Sequence, residues 1–183
     1  MAIGRKTKRL GSLLLAILMT VSLSFGLSSV AFASDYESED TRDIIYQVEE
    51  WVTPQTFVTT TVYDLGDGFT ATETITTSYD AVTRASGTLT QTSTVEIKNG
   101  TSVAATITVF GRFSYDGKSA TVLSASYSKS VKPGYTETSW STGQGNSGFL
   151  HGAYVTATLK VKQNSTGKSF SETAKVTCSK NGE

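Results

Sequence analysis

The chain has 183 residues, with 16 basic and 16 acidic side chains, one histidine and one cysteine. A lone cysteine excludes an intramolecular disulfide framework, and one histidine with one cysteine cannot make a closed zinc site. No cluster of Lys and Arg that would displace counterions from nucleic acid occurs after the first residues, so we expect no nucleic-acid partner.

Residues 1–33 have the three parts of a secretory signal peptide. A basic head, MAIGRKTKRL, precedes an apolar run from about Leu13 to Val30, and an A-x-A sequence ends at Ala33. This order predicts export with cleavage after Ala33. An uncleaved membrane anchor is the alternative, but small polar residues interrupt the run. We therefore expect a secreted, extracellular protein with no membrane span after cleavage.

Residues 34–54 are interpreted as an acidic lead-in followed by a short helix. Seven acids and one base fall in the first 17 of these residues. Apolar residues then recur at the spacing of one helix face: Ile44, Ile45, Val48, Trp51 and Val52. An edge strand is the alternative, because Ile44, Tyr46 and Val48 also alternate with polar residues.

Residues 55–183 alternate with period two and predict about seven strands. Asn99-Gly100 and Asp116-Gly117 are the strongest hairpin signals, because both central residues of a type I′ turn need positive φ. Gly111, within a strand, indicates a bulge or a close backbone approach.

These features predict an all-β fold, a single antiparallel β-sandwich with a thin core of Val, Ile, Ala and Leu. The sandwich is expected to be immunoglobulin-like in architecture only, because the cysteine–tryptophan–cysteine framework is absent. About 150 residues remain after cleavage, which suits one domain, and we expect a monomer.

Few residues have the types and spacing that catalysis or metal binding requires. His151 is the one candidate general base, but no G-x-S-x-G elbow occurs. Asp64 and Asp67, in DLGDG, lack the alternating oxygen ligands of a calcium loop, and a hairpin turn is the simpler interpretation. Glu73 and Glu172 are candidates for buried carboxylates. We expect no cofactor and no metal.

The glycine-rich segment from about Val131 to Gly148 interrupts the alternation and predicts a long loop. Exposed aromatic rings in such loops bind sugars or proteins at small entropic cost. The candidate binding residues are Tyr135, Trp140, His151 and Tyr154. The alternative is that Trp140 folds back and covers one end of the sandwich.

Three short segments, VYDLGDGFT, FSYDGKSATV and VTCSKNG, together with the leader, resemble small uncharacterised exported proteins of Gram-positive bacteria. The resemblance implies export and a single β domain, and it brings no activity and no site residue.

The leading hypothesis is a secreted, non-enzymatic β-sandwich that binds an extracellular glycan or protein. A secreted antimicrobial or toxin-like protein is the alternative, and an extracellular hydrolase that uses His151 is the third. Cys178 shares the parity of Phe170, Ala174 and Val176. We therefore predict a buried, inert thiol, with an intermolecular disulfide as the alternative.

Overall fold

Nine β-strands make up most of the chain that the structure describes. The computed structural model describes residues 43–80, 86–147 and 152–183, which belong to one compact unit, Asp40–Glu183. The strands are β1 Asp43–Thr53, β2 Thr56–Gly66, β3 Phe69–Tyr79, β4 Gly87–Asn99, β5 Ser102–Tyr115, β6 Ala120–Val131, β7 Tyr135–Ser147, β8 Gly152–Gln163 and β9 Ser169–Cys178. The predicted signal peptide and His151 lie outside the described residues.

The strands form two antiparallel sheets. β1 to β6 make the larger sheet and β7 to β9 the smaller one, and in both sheets each strand pairs with its neighbour in sequence. The prediction of an all-β chain with two antiparallel sheets is therefore confirmed. The order is up-and-down, whereas immunoglobulin domains use Greek-key connections. Across the described ranges, no helix is long and apolar enough to cross a membrane.

The core lies between the two sheets, where β7–β9 pack on β4, β5 and β6. We call the side of the larger sheet that faces β7–β9 the inner face and the other side the outer face. Fully covered side chains from both sheets form the core: Leu89, Val95, Ile97, Ile107, Val109, Phe113, Val155, Leu159, Val161 and Val176. Alternation in the sequence predicts these inward rows, because successive side chains of a strand point to opposite faces.

Gly111 lies on the inner face of β5, against Val176 of β9. A Cβ atom there would lie 2.7 Å from the Phe113 ring and 3.0 Å from Cγ2 of Val176. The predicted close approach is confirmed. Hairpins are also present at both predicted turns, with φ of 57° at Gly100 and 78° at Gly117, but neither turn is type I′, because Asn99 and Asp116 do not have positive φ.

The predicted helix over the start of the described chain is wrong. Asp43–Thr53 is β1, and it pairs with β2 along most of its length. Ile, Val and Trp favour extended backbone. Hydrogen bonds to the adjacent edge of β2 stabilise this conformation, whereas an isolated helix of this length is only marginally stable in water. The edge-strand alternative is the correct one for these residues.

The predicted long loop from Val131 to Gly148 is also wrong, because Tyr135–Ser147 is strand β7. One of its two glycines, Gly145, fits a strand because a neighbouring ring takes the place of a side chain. Gly145 lies opposite Tyr154 of β8, and a Cβ atom on Gly145 would come within 3.2 Å of the tyrosine hydroxyl. Glycine in a strand commonly marks such a close approach.

Candidate functional site

The most exposed apolar side chains of the described residues lie on the edge strand β1. Six large apolar side chains of this strand are each 52–60% exposed: Ile44, Ile45, Tyr46, Val48, Trp51 and Val52. Elsewhere in the described ranges only Leu123 on β6, at 53%, is comparable. Single exposed apolar residues are ordinary, but a contiguous group indicates an interaction surface.

These side chains are exposed because the two sheets differ in width. The smaller sheet packs on β4, β5 and β6 and makes only slight contact with β3. Strands β1 and β2 therefore extend beyond the cover that β7–β9 provide. We call β1 and β2 together the overhang.

β1 is also an open edge of the larger sheet. It pairs with β2 on one side, and no described strand lies on its other side. Shifts in register between Ile44 and Tyr46 and between Trp51 and Thr53 bracket a regular stretch. Backbone N–H and C=O groups along such an edge can pair with another strand.

The overhang presents different side chains on its two faces. On the inner face Trp51 lies opposite Phe57, with ring centroids 5.2 Å apart and planes tilted by 50°. Glu49 lies opposite Thr59 beside them. On the outer face, β1 presents Tyr46, Val48 and Glu50. These lie opposite three residues of β2: Val62, Thr60 and Val58.

The charge of β1 is entirely negative. Asp43, Glu49 and Glu50 are its charged residues, and it contains no Lys or Arg. Gln47 donates a hydrogen bond from Nε2 to Oε1 of Glu49 at 2.9 Å. The surface therefore combines apolar area with acidic side chains.

The three predicted binding residues that the structure describes, Tyr135, Trp140 and Tyr154, do not lie on one face of the smaller sheet, and His151 lies outside the described residues. Tyr135 and Trp140 lie on β7, half-buried, and pack against the core. Nζ of Lys129 lies 4.8 Å from the centroid of the Trp140 ring, and the same lysine pairs with Glu137. Since Trp140 lies opposite the buried Leu159, it points inward, whereas Tyr154 lies on the other face of the smaller sheet. Trp140 thus packs against the core, but from within strand β7 and not from a loop that folds over one end of the sandwich.

Of the two candidate carboxylates, Glu172 is buried and Glu73 is half-buried. Glu172, on the inward side of β9, is 3% exposed. Glu73, on the inner face of β3, accepts hydrogen bonds from Oγ of Ser93 at 3.0 Å and from the hydroxyl of Tyr63 at 3.4 Å. Hydrogen bonds of this kind let a carboxylate remain between packed sheets.

A shallow cleft of about 490 Å³ opens at one end of the sandwich. Its walls include Phe69, Asn99 and Lys168. Nζ of Lys168 donates to Oδ2 of Asp67 at 2.6 Å and lies 5.4 Å and 5.1 Å from the ring centroids of Phe69 and Phe170. This hydrogen bond and the lysine charge lower the pKa of Asp67. The charges at the cleft are thus engaged with one another.

The predicted hairpin turn at DLGDG is present. Oδ1 of Asp64 accepts a hydrogen bond from the backbone N–H of Gly66 at 2.7 Å, which is ordinary turn chemistry. In the part of the chain that the structure describes, no group of three or more His, Cys, Asp or Glu side chains is placed to hold a metal ion.

The exposed residues of β1 were not identified as a surface from the sequence, because their spacing also fits one face of a helix. The signal that could have found them is the density of β-branched and aromatic residues in IIYQVEEWV, which favours a strand. Comparison with protein-family models, curated proteins and solved structures gave no match.

Proposed function

We propose that the protein is a secreted, non-enzymatic interaction module that binds a protein partner along β1. The observation that carries the proposal is the concentration of exposed apolar side chains on one open strand edge. A partner strand that pairs with this edge gains backbone hydrogen bonds for affinity and side-chain contacts for specificity.

The apolar area of β1 is large enough to support binding. Side chains of these sizes at 52–60% exposure leave roughly 600 Å² of surface. Specific interfaces commonly bury about 800 Å² of each partner, so this area is of the right order for a binding surface.

Export is part of the proposal. Cleavage after Ala33 leaves a short acidic segment before β1, so the binding strand lies close to the start of the processed chain.

Binding of the labelled protein to intact producing cells tests the proposal. Val48→Lys places a charge on the outer face of β1 and should reduce the amount bound about tenfold or more, because the lysine would lose hydration at the interface. Leu123→Lys is the matched control and should bind like the unmodified protein. Protease treatment of the cells should abolish binding. Equal binding by the Val48→Lys and unmodified proteins would contradict the proposal.

A glycan ligand is a second candidate, and the Trp51–Phe57 pair favours it. Exposed rings that flank polar groups such as Glu49 and Thr59 can stack on sugar rings. In that case Trp51→Ala should abolish binding and Val48→Lys should preserve it. Periodate oxidation of the cells, rather than protease treatment, should abolish binding. The two candidates therefore give opposite results in the same assay.

A further inference from the structure

We infer that the partner of β1 is a second copy of this chain, paired antiparallel through Val48 on a twofold axis perpendicular to the sheet. The inference rests on the proposed function, because it names the partner for the same surface. It replaces the expectation of a monomer.

A twofold interface requires a surface that complements itself. About Val48 the sequence of β1 has this property. Tyr46 would lie opposite Glu50 of the second copy, and Gln47 opposite Glu49. Beyond them, Ile45 would lie opposite Trp51 of the second copy, and Ile44 opposite Val52.

The faces of β1 agree with this register. Directly opposed residues in an antiparallel pair point to the same side, so a register centred on a residue keeps each face continuous. Val48 lies on the outer face and would meet Val48 of the second copy. If the register shifted by one residue, each outer-face residue would lie opposite an inner-face residue of the second copy. Directly opposed residues of antiparallel strands point to the same side, so this register is not possible.

Charge selects the register centred on Val48 over its neighbours. In this register each glutamate lies opposite an uncharged side chain that can donate a hydrogen bond, Gln47 or Tyr46. Centring on Glu49 would place two carboxylates directly opposite each other, which is destabilising in a sheet. Centring on Gln47 would place Trp51 opposite Asp43 and both glutamates opposite isoleucines.

The register shifts in β1 set the length of the contact. They fall on either side of the stretch from Tyr46 to Trp51, so the regular pairing ends at both shifts. Bulges of this kind limit how far an edge can pair. The contact is therefore short, and the apolar residues at its two ends supply most of the buried area.

Cysteine cross-linking tests both the partner and the register. In Val48→Cys the new thiols would lie directly opposite each other, close enough for a disulfide, with Cβ atoms about 4–5.5 Å apart. Glu50→Cys is the matched control on the same face, because its thiols would lie about four residues apart along the strands and out of reach. Leu123→Cys controls for random collision. We expect rapid, near-complete cross-linking of Val48→Cys and little of either control.

Sedimentation of the purified protein without cysteine substitutions gives an independent readout. We expect a dimer that Val48→Lys converts to monomer and Leu123→Lys does not. A monomer at about 100 µM, a concentration that detects even weak association, would overturn the inference, as would equal cross-linking of Val48→Cys and Leu123→Cys. If the protein is a monomer and Val48→Lys still reduces its binding to cells, only the identification of a second copy as the partner is overturned. If the protein is a dimer and Val48→Lys leaves cell binding unchanged, only the proposed function is overturned.

Discussion

Cys178 lies on the inward side of β9, 1% exposed, and its Sγ donates a hydrogen bond to the carbonyl oxygen of Ser179 at 3.2 Å. Burial raises the pKa of this thiol to about 12. The thiolate is the reactive form, so the side chain behaves as a small apolar group. The predicted burial is confirmed, and it followed from strand parity alone.

We predict that Cys178 resists alkylation in the native protein and reacts only on unfolding. Ser124→Cys, on exposed β6, supplies a reference thiol in the same molecule. At pH 8 the reference should react about 100-fold faster or more, because burial restricts both access and ionisation. Mass spectrometry after timed quenching measures both sites. Equal rates at the two sites in native protein would contradict the prediction.

The exposures of Trp51 and Trp140 are the reverse of those that their sequence contexts predict. Trp140 lies among glycines and serines, which resembles an exposed loop, yet its ring packs inward with Lys129 above it. Trp51 falls on an apolar stripe, which resembles a buried face, yet it is 58% exposed. Composition around each tryptophan could not show this, because exposure depends on which strands of the other sheet lie above the residue.

At the scale of elements, the side chain of Gln91 joins the free edge of β9 to the larger sheet. Oε1 of Gln91 on β4 accepts a hydrogen bond from the backbone N–H of Thr177 at 3.0 Å. Nε2 of Gln91 donates to Oγ1 of Thr77 on β3 at 3.1 Å. One amide therefore joins three strands from both sheets.

We predict that Gln91→Leu lowers the free energy of unfolding by about 1–3 kcal/mol, because it leaves the Thr177 N–H and the Thr77 hydroxyl without this partner. Urea denaturation measures the change. Hydrogen exchange at the Thr177 amide should accelerate at the same time.

Gln144→Leu is the control for Gln91→Leu. Gln144 is an exposed glutamine of β7 that accepts only a long hydrogen bond, 3.5 Å from the Tyr127 hydroxyl, so its replacement should change stability by less than about 0.5 kcal/mol. If both variants had the same stability, the fastening role of Gln91 would be wrong.

Most strands could be predicted from sequence, and β1 shows why the rest could not. From β2 to β9 the strands are long enough for two-residue alternation to be decisive, except where the glycines of β7 obscure it. In β1 the apolar positions satisfy both helical and strand spacing. The choice depends on pairing with β2, which is a property of the assembled sheet. For the same reason the overhang could not be predicted, because it reflects six strands facing three.

For the molecule as a whole, the pKa shifts predict stability that is lost at both extremes of pH. The pKa values of Asp67, Asp80 and Asp116 are lowered, each mainly by hydrogen bonds to the carboxylate. As the pH falls through the ordinary value of 3.8, the unfolded chain binds protons first, so stability is lost. Burial raises the pKa of Cys178 from 9.0 to about 12, so above pH 9 the unfolded chain loses its proton first and stability is lost again.

We therefore expect the urea midpoint to fall below about pH 4 and above about pH 9, with a plateau between. Lys168→Met should weaken the acid dependence, because it removes the hydrogen bond and charge that lower the pKa of Asp67. Lys132→Met, in the exposed turn after β6, should leave it unchanged. Midpoints that stay constant from about pH 5 to about pH 2.5 would contradict the prediction.

The neighbour-to-neighbour order of the larger sheet has a consequence for how the chain is made. Synthesis releases a protein from its N-terminal end. Because each strand from β2 to β6 pairs with the one before it, every new strand meets a partner that has already emerged. The sheet can grow one hairpin at a time, and low separation between paired residues favours fast folding. β1 is then the edge formed first and the one that the growing sheet never covers.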